Sequence, residues 1–224
     1  MTKRPCILVI NPNSNDAVTL GMAEALEPFN IDGGPEIECC TLSEGPYGIE
    51  SQADIEAVTL PLRKMVRERN DADAFVIACY SDPGLQVCRE ATNKPVLGIQ
   101  ECGVLTAMSQ GDRFGVIALS DASIRRHLRY LRQLGVSGCL AGERAAELSV
   151  EDSVGGEGTF ARLLDTAIAL RDLDGADSVI LGCAGMAAHR SNLEEAVGLP
   201  VIDPVQAAVG MAMSAVLLGS TGIA

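Results

Sequence analysis

VIACYSDPGL, residues 76–85, is an apolar run that ends on a cysteine and turns at once through Tyr80, Ser81, Asp82, Pro83 and Gly84. A short β-branched run bounded by Pro and Gly reads as a buried strand followed by a loop. VILGCAGM, residues 179–186, does the same about a hundred residues later, with small residues after its cysteine. Two strands that each end on a thiol suggest that the chain is built twice.

The surrounding sequence supports this. CILVI (6–10), IECCTL (37–42), AFVIAC (74–79) and PVLGI (95–99) read as one set of strands. RFGVIAL (113–119), a weaker segment at 138–141, SVILGC (178–183) and PVID (200–203) read as a second set. Helical stretches alternate with them. Residues 15–27 run to Pro28, and 51–69 place Ile55, Val58, Leu62, Met65 and Val66 on one face. Ser51 and Asp54 form a capping pair at the start of that helix, and Pro61 is expected to bend it. Further helices carry Ile124, Leu128, Leu131 and Leu134, cover 158–171, and close the chain over 204–219.

Apolar strands joined by helices imply parallel sheets covered on both faces. Cys79 and Cys183 are 104 residues apart, Pro95 and Pro200 are 105, and Ile10 and Ala118 are 108. A nearly constant offset fits an internal duplication. The expected fold is α/β, with two pseudo-symmetric subdomains, each a short parallel sheet flanked by helices. The first spans 1–100 and the second 112–203, with a boundary near 100–112. Helix 204–219 is expected to pack back on the first, and the active site to lie between the two.

Composition narrows the function. The chain has 224 residues, 47% hydrophobic and only 3% aromatic, so its core is aliphatic. A net charge of −13 argues against nucleic acid and anionic membranes as partners and leaves small molecules. The first residues lack a signal-peptide pattern, and the uncharged tail is too short and too polar for a membrane span. Eight cysteines without a secretory signal point to the cytoplasm. A homo-oligomer is the expected assembly.

No CxxC pair occurs, and His127 and His189 lack ligand spacing, so no metal site is expected. His127 stands among Arg125, Arg126, Arg129 and Arg132 and reads as part of a solvated helix face. His189 follows the second cysteine motif more closely. No lysine among Lys3, Lys64 and Lys94 suggests a Schiff base, GGEGTFA (155–161) does not follow a strand, and no Walker motif is present. No cofactor is expected.

Ligands of parallel sheets bind at the carboxyl ends of strands, where Cys79 and Cys183 sit. Each precedes an expected helix start, for Cys79 with Asp82 as cap and Pro83 in the first turn. Helix amino termini lower a thiol pKa, so both thiols are expected to be available as acid and base near neutral pH. Two thiols on opposite sides of one carbon can invert it: one removes the proton next to a carbonyl and the other returns a proton to the opposite face. Ser81, Ala184 and Gly185 suit a nest of amide donors for the enolate oxygen. The other six cysteines read as small hydrophobes.

INPNSN (10–15), GPYGIES (45–51), ACYSDPGLQVCRE (78–90), PVLGIQE (95–101), LGCAGM (181–186) and LPVIDPV (199–205) together resemble the aspartate/glutamate racemase superfamily. Within it, the resemblance is to the hydantoin and allantoin racemase branch, and it covers most of the chain. It implies two α/β subdomains around one site and cofactor-independent inversion by Cys79 and Cys183. It also implies a pocket lined by Asn11, Ile49, Tyr80, Ser81, Leu119, Ala184 and Gly185. Amino-acid racemases of the superfamily place threonine beside each cysteine, whereas Tyr80–Ser81 and Ala184–Gly185 suit a neutral cyclic amide such as a 5-substituted hydantoin or allantoin. The branch tends to carry threonine after the strand that here ends in Ala118 and Leu119, and glycine where Ala184 stands. Other readings on the same fold are an amino-acid racemase, a maleate isomerase and an arylmalonate-type decarboxylase. A non-catalytic small-molecule sensor is the reading outside enzymology.

Overall fold

Two four-stranded parallel sheets of the same strand order carry the fold. The computed structural model describes residues 4–220 and 222. The first repeat runs β1 (Cys6–Asn11), α1 (Asp16–Ala25), β2 (Glu36–Thr41), α2 (Gln52–Glu68), β3 (Ala74–Ile77), α3 (Leu85–Arg89), β4 (Val96–Gly98) and α4 (Ile99–Met108). The second runs β5 (Phe114–Ala118), α5 (Asp121–Leu134), β6 (Leu140–Ala145), α6 (Val150–Ser153), α7 (Thr159–Asp172), β7 (Ser178–Leu181), α8 (Arg190–Val197), β8 (Val201–Ile202) and α9 (Pro204–Leu217). Sheet orders are β2-β1-β3-β4 and β6-β5-β7-β8.

The continuous apolar runs are explained by burial on both faces. In β1, Ile7 and Val9 point into one core, and Cys6, Leu8 and Ile10 into another. β3 divides likewise, Ala74 and Val76 against Phe75 and Ile77. α2 covers the second of these faces with Ile55, Val58, Leu62 and Val66, and its capping box of Ser51 and Asp54 forms as expected. The first core continues without a break into the second sheet through Phe114, Val116, Val179 and Ile180.

Helix α9 packs on α4 and on β1, β3 and β4. α4 is a helix that the sequence reading missed, because residues 100–112 read as a boundary. It touches β5, β7 and β8 as well as β4 and α9. Its burial on several sides removes the amphipathic stripe by which a surface helix is recognised. Among the described residues, no helix is long and apolar enough to cross a membrane.

Candidate active site

Parallel strands aim the loops after them at one edge, and here those loops from both sheets meet. Cys79 follows β3 by two residues and Cys183 follows β7 by two. Both line one cavity of about 30 Å³ between the repeats. Ile49, Ala78, Tyr80 and Ser81 are among the residues lining it from the first repeat, and Leu119, Val150, Gly182 and Ala184 among those from the second. The N–H of Val150 donates to Glu50 Oε1 (3.1 Å), joining the loop after β2 to the start of α6.

Two of the residues expected to line the pocket do not. Asn11 is fully buried, and its Nδ2 donates to Asn13 Oδ1, to the Asn15 carbonyl and to Thr19 Oγ1. It shapes the loop, and Asn13 lines the cavity in its place. Gly185 stands behind the thiol, with its N–H donating to Cys183 Sγ (3.4 Å). A Cβ there would come within 2.3 Å of Ser153 Oγ, so the glycine lets that hydroxyl approach. Ser153 Oγ lies 3.6 Å from Cys183 Sγ.

The expected cap after the first cysteine also needs correcting. Asp82 adopts φ 44°, the left-handed region that Asp tolerates, and does not start a helix at Pro83. Its carboxylate instead accepts the N–H groups of Gln100 and Glu101 at 2.9 Å each and so caps α4. Burial raises its pKa to about 7 against those bonds.

Helix α5 holds the residues that sequence reasoning misplaced. His127 is 3% exposed and lines the cavity, with its Nδ1 2.5 Å from Glu143 Oε1 and its ring edge-on to Tyr80. It is not part of a solvated face. Arg126 and Ser123 line the same cavity, and Arg126 Nε is buried without a partner. Four arginines around one histidine mark solvent by composition alone. Only the helical period, which sets Ser123, Arg126, His127 and Tyr130 on one side, could have found them. His189 is half-buried beside Phe160, with burial lowering its pKa.

Neither thiol is acidified by its surroundings. Burial pushes both Cys79 and Cys183 above the ordinary thiol value. The Ser81 amide and Arg126 oppose this at Cys79, and Ser153 and the Gly185 amide oppose it at Cys183. The expectation that helix amino termini prevail fails here, because taking a charge out of water outweighs one or two amide dipoles. Among the described residues, no group of three or more His, Cys, Asp or Glu side chains is placed to hold a metal ion.

Comparison with known proteins fits this arrangement. The Asp/Glu/Hydantoin racemase family matches residues 7–212. A hydantoin racemase of Paenarthrobacter aurescens is 37% identical over 221 residues, spanning 95% of this chain and 92% of its own. One from Rhizobium meliloti is 36% identical over 231 residues, spanning 96% and 89%. Among solved structures, the allantoin racemase from Klebsiella pneumoniae superposes with a TM-score of 0.92 at 31% identity, covering 98% of this chain and 90% of that one. A glutamate racemase from Francisella tularensis, at 19% identity and a TM-score of 0.70, shares the fold.

Proposed function

As a member of the Asp/Glu/hydantoin racemase family the chain is an isomerase, and we propose that it inverts the carbon next to a carbonyl in a five-membered cyclic amide, a 5-substituted hydantoin or allantoin, with Cys79 and Cys183 as the two acid–base groups. The observation that carries this reading is that the thiols, one from each repeat, line a single small cavity. The chemistry needs no cofactor.

One cysteine enters the cycle as thiolate, formed while the cleft is open to water, since the closed cavity disfavours the charge. It takes the proton from the ring carbon, and the C–H electron pair moves onto the adjacent carbonyl oxygen. The opposite thiol then gives its proton to the other face of the carbon. The product has the inverted configuration, and the cysteines have exchanged protonation states, ready for the reverse enantiomer. Arg126, whose Nε–H lacks a partner, offers a donor to the developing negative charge. Ile49, Leu119 and Ala184 supply apolar walls that keep water from the enolate, while Tyr80 and Ser81 form the floor beside Cys79.

Decay of the circular dichroism of an enantiopure hydantoin tests the reading. Racemisation that survives Cys79→Ser and Cys183→Ser would end it. The division into subdomains 1–100 with 204–219 and 112–203, supported by the matching strand orders, belongs to the same proposal. So does a cytoplasmic homo-oligomer acting on small molecules, whose mass by light scattering checks the assembly.

A further inference from the structure

His127 and Glu143 form a buried pair that the two-thiol scheme leaves unused. Their side chains are 3% and 1% exposed, one on α5 and the other on β6, with Nδ1 2.5 Å from Oε1. Among the described residues, no cation other than His127 pairs with that carboxylate, and its Oε2 is enclosed without a hydrogen bond. A buried charge is costly unless it is paired, so the two groups share one proton and are neutral as a unit. If that proton is on the imidazole, both ring nitrogens carry hydrogen. If it is on the carboxyl, Nδ1 accepts it, and the hydrogen of the neutral ring sits on Nε2. Either way Nε2 is a donor. With Nδ1 turned to the sheet, Nε2 is on the far side of the ring. Among the described residues it has no partner, and it is not one of the fully enclosed polar atoms. His127 forms part of the wall of the thiol cavity, with Tyr80, the residue after Cys79, edge-on to its ring at 5.0 Å.

We propose that His127 is a third catalytic group: its Nε2–H, kept on that nitrogen by Glu143, donates to the carbonyl oxygen beside the reacting carbon. The inference rests on the two-thiol reading above. As a thiolate takes the ring proton, the C–H electron pair moves onto that oxygen. The hydrogen bond from Nε2 strengthens, and its proton stays on nitrogen. A donor fixed in advance where charge develops speeds the step more than it tightens substrate binding. Glu143 is a positioning residue, setting the ring's orientation and the place of its hydrogen, as carboxylate partners of histidine do. Arg126 lines the same cavity, so a neutral pair beside it adds a donor without adding a second positive charge.

The chain has two histidines, so labelling them with the heavy nitrogen isotope gives two imidazoles for NMR, told apart with His189→Gln. In wild-type protein saturated with 5,5-dimethylhydantoin, which has no proton at the reacting carbon, His127 Nε2 should carry hydrogen and its signal should move on binding. A bare Nε2 in that complex, or a signal that the compound leaves in place, overturns the proposal. With an enantiopure reactive hydantoin, His127→Leu should lower kcat by about 10²-fold or more and change KM by less than about threefold, as for one lost oxyanion donor. His127→Gln, which can place an amide N–H near the same point, should recover about tenfold. Equal loss in both variants, or full activity of His127→Leu, also overturns it. The labelled wild-type protein decides the matter should a variant not fold. Failure of the underlying reading looks different: the wild-type protein racemises no hydantoin, or racemisation persists without the two thiols, and the proposal falls with it.

Discussion

Cys79 and Cys183 close equivalent strands, yet the two repeats hold them differently. Cys183 is held within its own repeat, by the Gly185 amide at 3.4 Å and the Ser153 hydroxyl at 3.6 Å. Cys79 has the Ser81 amide from its own turn and the field of Arg126 from the other repeat. The helix after the fourth strand shows the same contrast. In the second repeat Asp203 caps α9 from the N-cap position itself, accepting the Val205 N–H at 2.8 Å. In the first repeat that position is Gly98, and the carboxylate comes from Asp82 in the cysteine turn. A Cβ on Gly98 would lie 2.3 Å from Asp82 Cγ, so the glycine makes room for a carboxylate supplied from elsewhere. The first thiol turn is thereby tied to α4 and to Gln100, whereas α9 takes its cap from the residue just before it. The two repeats share the cap but draw it from different places.

The comparison breaks most visibly at the sulfurs. Cys79→Ser and Cys183→Ser should each lower racemisation by about 10³-fold or more, since a positioned acid or base contributes about 10²–10⁴. Each variant should still exchange the ring proton of one enantiomer with heavy water, followed by NMR, and the two variants should differ in which enantiomer exchanges. Exchange of the same enantiomer in both would show that the thiols do not face opposite sides.

The caps come next. A folded-state pKa of about 7 for Asp82, above the 3.8 of an ordinary carboxyl, means that the native state holds its proton more tightly than the unfolded chain. Its contribution to stability is fully present below about pH 4 and is lost as pH rises to about 7, on the order of 4 kcal/mol in all. Urea melts across that range should show a decline that Asp82→Asn flattens. Asp203, raised to about 6, should give a smaller decline that ends at lower pH. Asp82→Ala with Gly98→Asp should restore the α4 cap, worth about 1–2 kcal/mol, without restoring full activity, because the Cys79 turn loses its tie.

Smaller effects sharpen the contrast between the thiols. Ser153→Ala should reduce turnover by about tenfold at neutral pH, with recovery at higher pH, because it removes a partner that favours the Cys183 thiolate. Loss without any shift of the pH profile would reduce Ser153 to packing. Tyr80→Phe should change stability by less than about 1 kcal/mol in thermal melts, since the buried Tyr80 hydroxyl has no partner to lose.

Strands were legible in the sequence because burial on both faces leaves an unbroken apolar run, as in CILVI and SVIL. Both cysteines were legible because each ends such a run at a nearly constant offset. Helix α4, IQECGVLTAM, was not: it is buried on several sides, and its capping carboxylate lies at Asp82, well before it in the chain. Arg126 and His127 were missed because charge in RRHLRYLR outweighs periodicity on inspection, although the buried Glu143 waits for that histidine one strand away. Asn11 ends β1 and Asn13 lies two residues on in the loop, where the loop's own hydrogen bonds, not strand alternation, decide which of the two faces the cavity.

The apolar interior that runs unbroken from the first sheet into the second has a consequence for how the chain melts and how it can be cut. A fragment ending near residue 110 would leave Ile7, Val9 and Val76 without Phe114, Val116 and their neighbours, and without the closing α9. Such a piece should be sticky and poorly soluble, while the whole chain unfolds in one cooperative step, its two halves bound to a common fate.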